Sequence, residues 1–572
     1  MEALPRLYHP IGRWTGRLIL PALKRRRIDG AVLIEIHNAA PEHADLVGQI
    51  VPLCWSSDPE VQSLVQAVTH DVEFNHWTAL SQARGNLHPE RINGWWQVNP
   101  LESLAGARHQ DDVVVMLRDA IVALNRDGER SLMIHSDPVQ ISGRVMALVS
   151  ILEQESPTSE YFWVRHFNQS SRLFDGPLER VRIPQAAPDR AGICRSTHYR
   201  IERSPLNSQG WYVYGEHDAE GTFVVQAIEP RSITQLKPDE VHLGYKAAST
   251  YLYRDNWKDT VADKGTAKTV LVSARPSPLN PSTCWQEGDA AIVVHLYGGI
   301  GGKKGEKAPF GLVLGHFAYG IAHVIRDPLT NDLRFDIEYK QVYGHNPDGI
   351  ISGTIKWSSY AGDLQRGWLG NRPISDVLIK LDVITQDYDF DGVRLSPLTL
   401  FNRHLEAIAA CYRTGHGTGA AFINPATSCV QDSNQALYLT IKKLQSVVRS
   451  TPQIGAWLQR HPHHPQRQRF RQLMSLGHIL ERRMVPFGIA HPDWRRNVVR
   501  MIKTRNVHNL LEMLLRALLA WRTIVPFHAH DAIVHIFLKQ GALLWFIRTN
   551  QVGGEDPDIE PRPPRGILGP RD

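Results

Sequence analysis

A histidine that opens an apolar strand and a cysteine that opens a later helix constrain this chain more than any other feature. The first lies in Gly315-His316-Phe317-Ala318-Tyr319-Gly320 and the second in Ser428-Cys429-Val430-Gln431-Asp432-Ser433. A thiol becomes a nucleophile when a base takes its proton, and a helix start lowers its pKa further. The pattern therefore predicts a fold that brings His316 and Cys429 together as a hydrolytic pair.

The residues after Cys429 favour a helix that begins at the cysteine, because apolar residues recur with helical spacing as far as Ser450. The positive end of this helix should stabilise a thiolate, and its N–H groups should hold an oxyanion. We assign Ser428 and Gln431 to this oxyanion and substrate-binding region. The competing interpretation is that Cys429 is a buried structural thiol, the fate of most free cysteines.

Two histidines, His316 and His323, lie on the same predicted strand. Strand side chains alternate between faces, so residues seven apart point to opposite sides and only one can enter a site with Cys429. Gly315 removes side-chain crowding beside His316. His316 is therefore the preferred general base.

A third residue should orient the imidazole from the neighbouring strand. If the hairpin turns at residues 328–331, the positions facing His316 are one of two alternating sets, because a register change of one residue exchanges them. One of these sets contains Gln341, Tyr343 and His345.

The loop before His316 is rich in glycine and carries two adjacent lysines, in Gly298-Gly299-Ile300-Gly301-Gly302-Lys303-Lys304-Gly305. A phosphate-binding P-loop needs Ser or Thr after its lysine, and here Lys303 is followed by Lys304. We expect instead a flexible, basic rim beside a cleft, where Lys303 and Lys304 contact an acidic group of the substrate.

Three segments in order resemble the circularly permuted branch of the NlpC-like papain fold: Trp285-Gln286-Glu287-Gly288-Asp289, then the segments that contain His316 and Cys429. Papain-type enzymes present the cysteine first, and a circular permutation reverses that order while keeping the geometry. The resemblance covers residues 284–445. It implies a cysteine peptidase or amidase with His345 as the orienting residue, and permuted relatives also include acyltransferases and thioesterases that act on lipids.

The whole chain also resembles a bacterial family catalogued as predicted Abi (CAAX) proteases, especially at Gly298–Gly305, Gly344–Ile351, Gly367–Gly370 and Ser428–Tyr438. Intramembrane CAAX proteases carry adjacent glutamates within membrane helices. This sequence contains no adjacent glutamate pair. The resemblance therefore implies that the chain is grouped with these proteins, and it does not imply the intramembrane mechanism.

Apolar runs and turn signals predict an α+β chain of four parts. Short strands indicate a β-rich module over residues 1–190, and a hairpin pattern indicates a small barrel-like β module over 191–275. The permuted papain-like catalytic domain is predicted over 276–450. Residues 451–572 are predicted to be a helical region with a loose tail from Asp556.

The cysteines favour a reducing compartment. Cys54, Cys194, Cys284, Cys411 and Cys429 are odd in number and show no C-x-x-C spacing, which argues against a disulfide framework and a zinc site. The N-terminus lacks a signal-peptide pattern, and no apolar stretch reaches the ~20 residues of a membrane span. We expect a cytoplasmic protein without metal, cofactor or transmembrane segment, and peripheral membrane contact stays open.

The formal net charge of +6 is spread along the chain, which disfavours nucleic acid as a partner. The sequence thus predicts a soluble cysteine hydrolase that acts on a peptide or amide through an acyl-enzyme. The alternatives are a non-catalytic binding or scaffold protein with an inactive papain-like domain, and a lipid-directed acyltransferase or thioesterase.

Overall fold

The computed structural model describes residues 7–22, 32–74, 79, 83, 89–108, 111–124, 128–188, 198–276, 283–306, 313, 315–342, 351–414, 428–484 and 525–564. Helix makes up 31% and strand 33% of the described residues, which confirms the α+β class.

The strands of the described residues form two large sheets and two small ones. In chain order they are β1 (His9–Pro10), β2 (Trp14–Ile19), β3 (Val32–Asn38), β4 (Ile50–Trp55), β5 (Val114–Leu117), β6 (Ile121–Leu124), β7 (Arg130–Ile134), β8 (Val139–Gln140), β9 (Val145–Gln154), β10 (Tyr161–His166), β11 (Leu178–Arg182), β12 (Trp211–His217), β13 (Phe223–Pro230), β14 (Glu240–Leu243), β15 (Thr266–Ser273), β16 (Ala290–Tyr297), β17 (Gly299–Gly301), β18 (His316–Arg326), β19 (Leu333–Gln341), β20 (Gly353–Lys356), β21 (Pro373–Lys380), β22 (Tyr388–Phe390), β23 (Val393–Leu395), β24 (Leu543–Asn550) and β25 (Glu560–Arg562).

The α-helices of the same residues cover the sheets and join them. They are α1 (Pro59–Val68), α2 (Pro100–Ala105), α3 (Arg231–Thr234), α4 (Tyr245–Thr250), α5 (Trp357–Tyr360), α6 (Asp382–Thr385), α7 (Pro397–Arg413), α8 (Cys429–Ser450), α9 (Pro452–Arg460), α10 (Pro465–Met484) and α11 (Pro526–Lys539).

The larger sheet has 15 strands in the order β14-β15-β24-β21-β16-β18-β19-β20-β8-β5-β2-β3-β4-β7-β6. Its centre contains the predicted antiparallel pair of β16 and β18 and the predicted hairpin of β18 and β19. The β20 strand then pairs in parallel with β8 of the N-terminal region. One hydrogen-bonded sheet thus joins the N-terminal strands to those around His316.

The second sheet closes on itself. β9 pairs with β10, β10 with β11, β11 with β13, β13 with β12, and β12 returns to β9, so these five strands form a small barrel. The predicted hairpin of β12 and β13 is confirmed. Since β9, β10 and β11 precede residue 190 and β12 and β13 follow it, the barrel spans that predicted boundary. The division into four domains stays a prediction.

The C-terminal region is helical, as expected, but it also contributes a central strand. β24 lies between β15 and β21, with Trp545 opposite both Leu271 and Leu378. The tail is not loose at Glu560–Arg562, because β25 pairs with β17. This pairing also corrects the prediction of a flexible Gly298–Gly305 loop, since Gly299–Gly301 is a strand.

Two apolar cores sandwich the central strands. Side chains such as Val294 and Tyr319 join the core that contains α7, α8, α10 and α11, whereas Val293 and Tyr339 join the core shared with the barrel. Successive side chains of a strand point to opposite faces, so both faces of these strands are covered. Among the described residues, no helix is long and apolar enough to span a membrane.

Candidate active site

Cys429 is the first residue of α8, as the sequence predicted. Ser428 caps this helix, because its Oγ accepts a hydrogen bond from the backbone N–H of Gln431 at 3.3 Å. A serine cap satisfies one of the N–H groups that a helix start leaves open. The cap fixes the position of Cys429 at the positive end of a 22-residue helix.

The Cys429 sulfur lies at the beginning of β18. The β18–β19 pairing starts at Tyr319, and the N–H of Phe317, two residues earlier, points to the sulfur. The backbone N–H groups of Val430 and Cys429 itself do the same. The helix start and the strand start therefore meet at this thiol, at the residue that follows His316 in the sequence.

The pKa of the Cys429 thiol is nevertheless raised, to about 11. Burial of the sulfur is the largest cause, and the N–H groups of Phe317, Val430 and Cys429 lower the pKa by less than burial raises it. The expectation of a lowered pKa is thus wrong for the resting protein, because desolvation of the thiolate outweighs the helix end. The thiol is protonated at neutral pH.

His316 is buried at the first position of β18. Gly315, immediately before it, has φ +71°, and a side chain there would overlap the carbonyl oxygen of Tyr297. Glycine is needed at this turn, since other residues rarely adopt such a φ. The backbone thus turns sharply just before His316.

Gln341 holds the His316 ring. Its Oε1 lies 2.9 Å from His316 Nε2, and both side chains are buried. An amide oxygen only accepts hydrogen bonds, so this contact places a proton on Nε2, and in a neutral imidazole the lone pair is then on Nδ1. Nδ1 is then the atom that can take the thiol proton.

The residue that binds the His316 ring in the structure is thus Gln341, a member of one of the two sets that strand register left open. His345, the preferred member, lies outside the described residues, as does Tyr343. His323 pairs with Ala290 at the other end of the strand pair, and burial lowers its pKa to about 4.

Aromatic rings surround His316 on the barrel side of the sheet. Tyr297 lies directly opposite on β16, with ring centroids 5.4 Å apart, and His295 is 6.5 Å away. The guanidinium of Arg372 stacks on Tyr297 at 4.8 Å. These contacts exclude water from one side of the imidazole.

Sequence analysis missed two features of this aromatic wall. Tyr360, at the end of α5, has a buried hydroxyl with no hydrogen-bond partner among the described residues. His295 forms a fully buried pair with Asp376, Nδ1 to Oδ1 at 2.7 Å. Neither carries a local motif, because α5 and β21 reach the site only through long-range sheet pairing.

Lys303 and Lys304 bind carboxylates of this chain itself. Lys304 Nζ lies 2.7 Å from Asp556 Oδ2, and Lys303 Nζ lies 3.2 Å from Asp558 Oδ1. The pairs attach the glycine loop to the C-terminal segment. Contact of either lysine with a substrate stays a prediction, as does a substrate role for the side chain of Gln431.

No group of three or more His, Cys, Asp or Glu side chains within the described ranges is arranged to ligate a metal ion. Comparison of the chain with protein-family models, curated proteins and solved structures gave no match. The function must therefore be argued from the geometry around Cys429.

Proposed function

We propose that this protein is a cysteine hydrolase of the peptidase or amidase type, with Cys429 as nucleophile and His316 as general base. One observation carries the proposal: the N–H of Phe317, the residue that follows His316, points to the Cys429 sulfur, and Gln341 holds Nε2 of His316. A nucleophile, a base and a group that orients the base are the three parts of such a site.

The reaction follows from these positions. His316 Nδ1 takes the proton of the Cys429 thiol while the sulfur forms a bond to the carbonyl carbon. The tetrahedral intermediate collapses, the bond to the leaving group breaks, and His316 returns the proton to that group. Water then attacks the thioester with His316 again as base, which releases the acid and restores the thiol.

The raised pKa of Cys429 determines how the thiol is activated. A thiol with a pKa of about 11 is almost fully protonated at pH 7. Proton transfer to His316 must then accompany attack on the substrate, because no standing thiolate is available. This behaviour is general-base catalysis of the kind that serine hydrolases use.

The substrate class rests on resemblance. Likeness of the His316 and Cys429 segments to the permuted NlpC-like papain fold supports a peptide or amide substrate in the cytoplasm. The likeness to predicted Abi (CAAX) proteases groups the chain with those proteins but supports no particular reaction mechanism.

An activated ester tests the proposal without knowledge of the natural substrate. We expect p-nitrophenyl acetate to acylate the native protein, and Cys429→Ala and His316→Ala to reduce p-nitrophenol release by about 10²-fold or more. Cys284→Ala is the matched control, since Cys284 is also a partly exposed cysteine. Equal release from the native protein and Cys429→Ala would overturn the proposal.

The raised pKa also favours a second candidate, a binding or scaffold protein with an inactive papain-like domain. In that case the native protein would react with the ester no faster than Cys429→Ala. The two candidates therefore predict opposite results in one assay.

A further inference from the structure

The hydroxyl of Tyr360 is a buried polar group without a partner. Tyr360 is 2% exposed, and among the described residues no atom forms a hydrogen bond with its Oη. Other buried tyrosines nearby are satisfied, because Tyr339 donates to Asp376 and Tyr319 donates to Asn434. A buried polar group left unpaired is costly, so it calls for an explanation.

The ring of Tyr360 is held in place by anchored neighbours. It packs edge-on against Tyr339 at 4.8 Å and against His295 at 5.1 Å between centroids. Both neighbours bind the same buried carboxylate, Asp376, which also accepts a hydrogen bond from Trp357 Nε1. The Tyr360 hydroxyl therefore occupies a fixed position.

That position is near the ring of His316. Tyr360 contacts His295, whose ring lies 6.5 Å from that of His316. Burial raises the pKa of Tyr360 well above its usual value, the neighbouring Tyr297, Asp376 and Cys429 raise it further, and Arg372 lowers it. The hydroxyl therefore stays protonated and can donate a hydrogen bond.

The sulfur already has its own donors. The N–H groups of Phe317, Val430 and Cys429 point to it, and the N–H of Gln431 is bound by Ser428. An acyl substrate brings one further group that needs a donor, the carbonyl oxygen that becomes negative when sulfur attacks. Pre-positioned donors at this oxygen supply much of the rate enhancement in acyl transfer.

We propose that Tyr360 Oη donates a hydrogen bond to the carbonyl oxygen of the substrate and stabilises the oxyanion; this inference rests on the proposed function. As the carbon–sulfur bond forms, the π electrons of the carbonyl move onto oxygen and the thiol proton moves to His316. Tyr360 keeps its own proton. When the carbonyl re-forms, the leaving group departs with the proton from His316.

Two reagents separate this role from a structural one. p-Nitrophenyl acetate reacts at a carbonyl and develops an oxyanion, whereas iodoacetamide reacts with the same sulfur at a saturated carbon and develops none. Loss of an oxyanion donor should therefore slow acylation of Cys429 and leave its alkylation unchanged.

We expect Tyr360→Phe to acylate Cys429 about 10²-fold more slowly than the native protein. Alkylation by iodoacetamide at pH 9 should stay within about threefold of native, which also shows that the fold around the thiol is intact. Tyr319→Phe is the matched control, because it removes a buried hydroxyl whose partner is Asn434. It should change neither rate by a comparable factor.

Each other outcome has a distinct meaning. If native protein and Tyr360→Phe are acylated equally fast, the role of Tyr360 is refuted and the hydrolase proposal stands. If both reagents slow by the same factor, Tyr360 acts on the structure and its oxyanion role is refuted. If the native protein is not acylated at Cys429 at all, the proposed function itself fails.

Discussion

At Cys429 burial and hydrogen bonding act on the thiol in opposite directions. Three N–H groups favour the thiolate, yet burial keeps the pKa at about 11. The effect of the helix N-terminus on this pKa could be predicted from the sequence, because it depends on neighbouring residues. The effect of burial could not, because it depends on residues far along the chain. The consequence is that Cys429 is a protonated thiol at neutral pH.

The pH dependence of alkylation tests this state. Because the thiolate is the reactive form, the rate of Cys429 labelling by iodoacetamide should rise about tenfold per pH unit between pH 7 and 10. Site-resolved mass spectrometry measures this rate. A rate that is already constant from pH 6 to 8 would contradict the account, because it would indicate a standing thiolate–imidazolium pair.

Gln341 binds Nε2 of His316, which leaves Nδ1 for the proposed proton transfer. In Gln341→Ala the acceptor for Nε2–H is lost, so the ring can rotate or adopt the other tautomer. Misplacing a catalytic group by about 1 Å costs roughly 10²-fold, and we expect acylation of Cys429 to slow by about that factor. Stopped-flow release of p-nitrophenol measures the change. An unchanged rate would show that Gln341 does not orient the base.

The start of α8 shows how one element positions the site. Ser428→Ala removes the Oγ that binds the Gln431 N–H, which should lower the free energy of unfolding by about 1 kcal/mol. Ser396→Ala is the control, because Ser396 precedes α7 without a cap hydrogen bond to it. Urea titration of both variants measures the difference. Equal losses would argue against a specific cap at Ser428.

A buried histidine between α7 and α8 should make the free energy of unfolding fall in acid. His404 on α7 hydrogen-bonds Thr440 on α8, Nδ1 to Oγ1 at 2.9 Å, and burial lowers its pKa to about 3. The unfolded chain binds a proton near pH 6.5 and the folded chain does not, so this contribution is complete above about pH 6.5 and is lost as pH falls. Between pH 7 and 5 the loss is about 2 kcal/mol.

His404→Asn keeps a donor to Thr440 and removes the titrating ring. Urea titration at pH 7 and pH 5 should show a loss of unfolding free energy that is about 2 kcal/mol smaller in the variant than in the native protein. If both proteins lose the same amount, His404 is not responsible for the acid sensitivity of the helix pair.

Elements with strong local signals could be predicted from the sequence. The hairpin of β18 and β19, the start of α8 at Cys429 and the hairpin of β12 and β13 were all predicted correctly. Strand register left two alternating sets of positions open opposite His316, and one of them contains Gln341. The choice of set and of residue depends on register and side-chain contacts that a strand pattern does not specify.

At the scale of the whole molecule, prediction was weakest where distant segments meet. β24 follows a helix in an apolar region, and its apolar run fits a buried strand as well as a buried helix. Its place between β15 and β21 is set by pairing with strands more than 150 residues away in sequence. Tyr360 and the His295–Asp376 pair reach the site through the same sheet.

The fold as a whole should make one cysteine of five reactive towards an acyl donor. The most direct measurement is site-resolved mass spectrometry after brief exposure to p-nitrophenyl acetate, in native protein and His316→Ala. The account predicts that the acetyl group is found chiefly on Cys429 and that this labelling depends on His316. Equal acetylation of Cys429 in both proteins, or preferential labelling of another cysteine, would contradict a catalytic pair at this site.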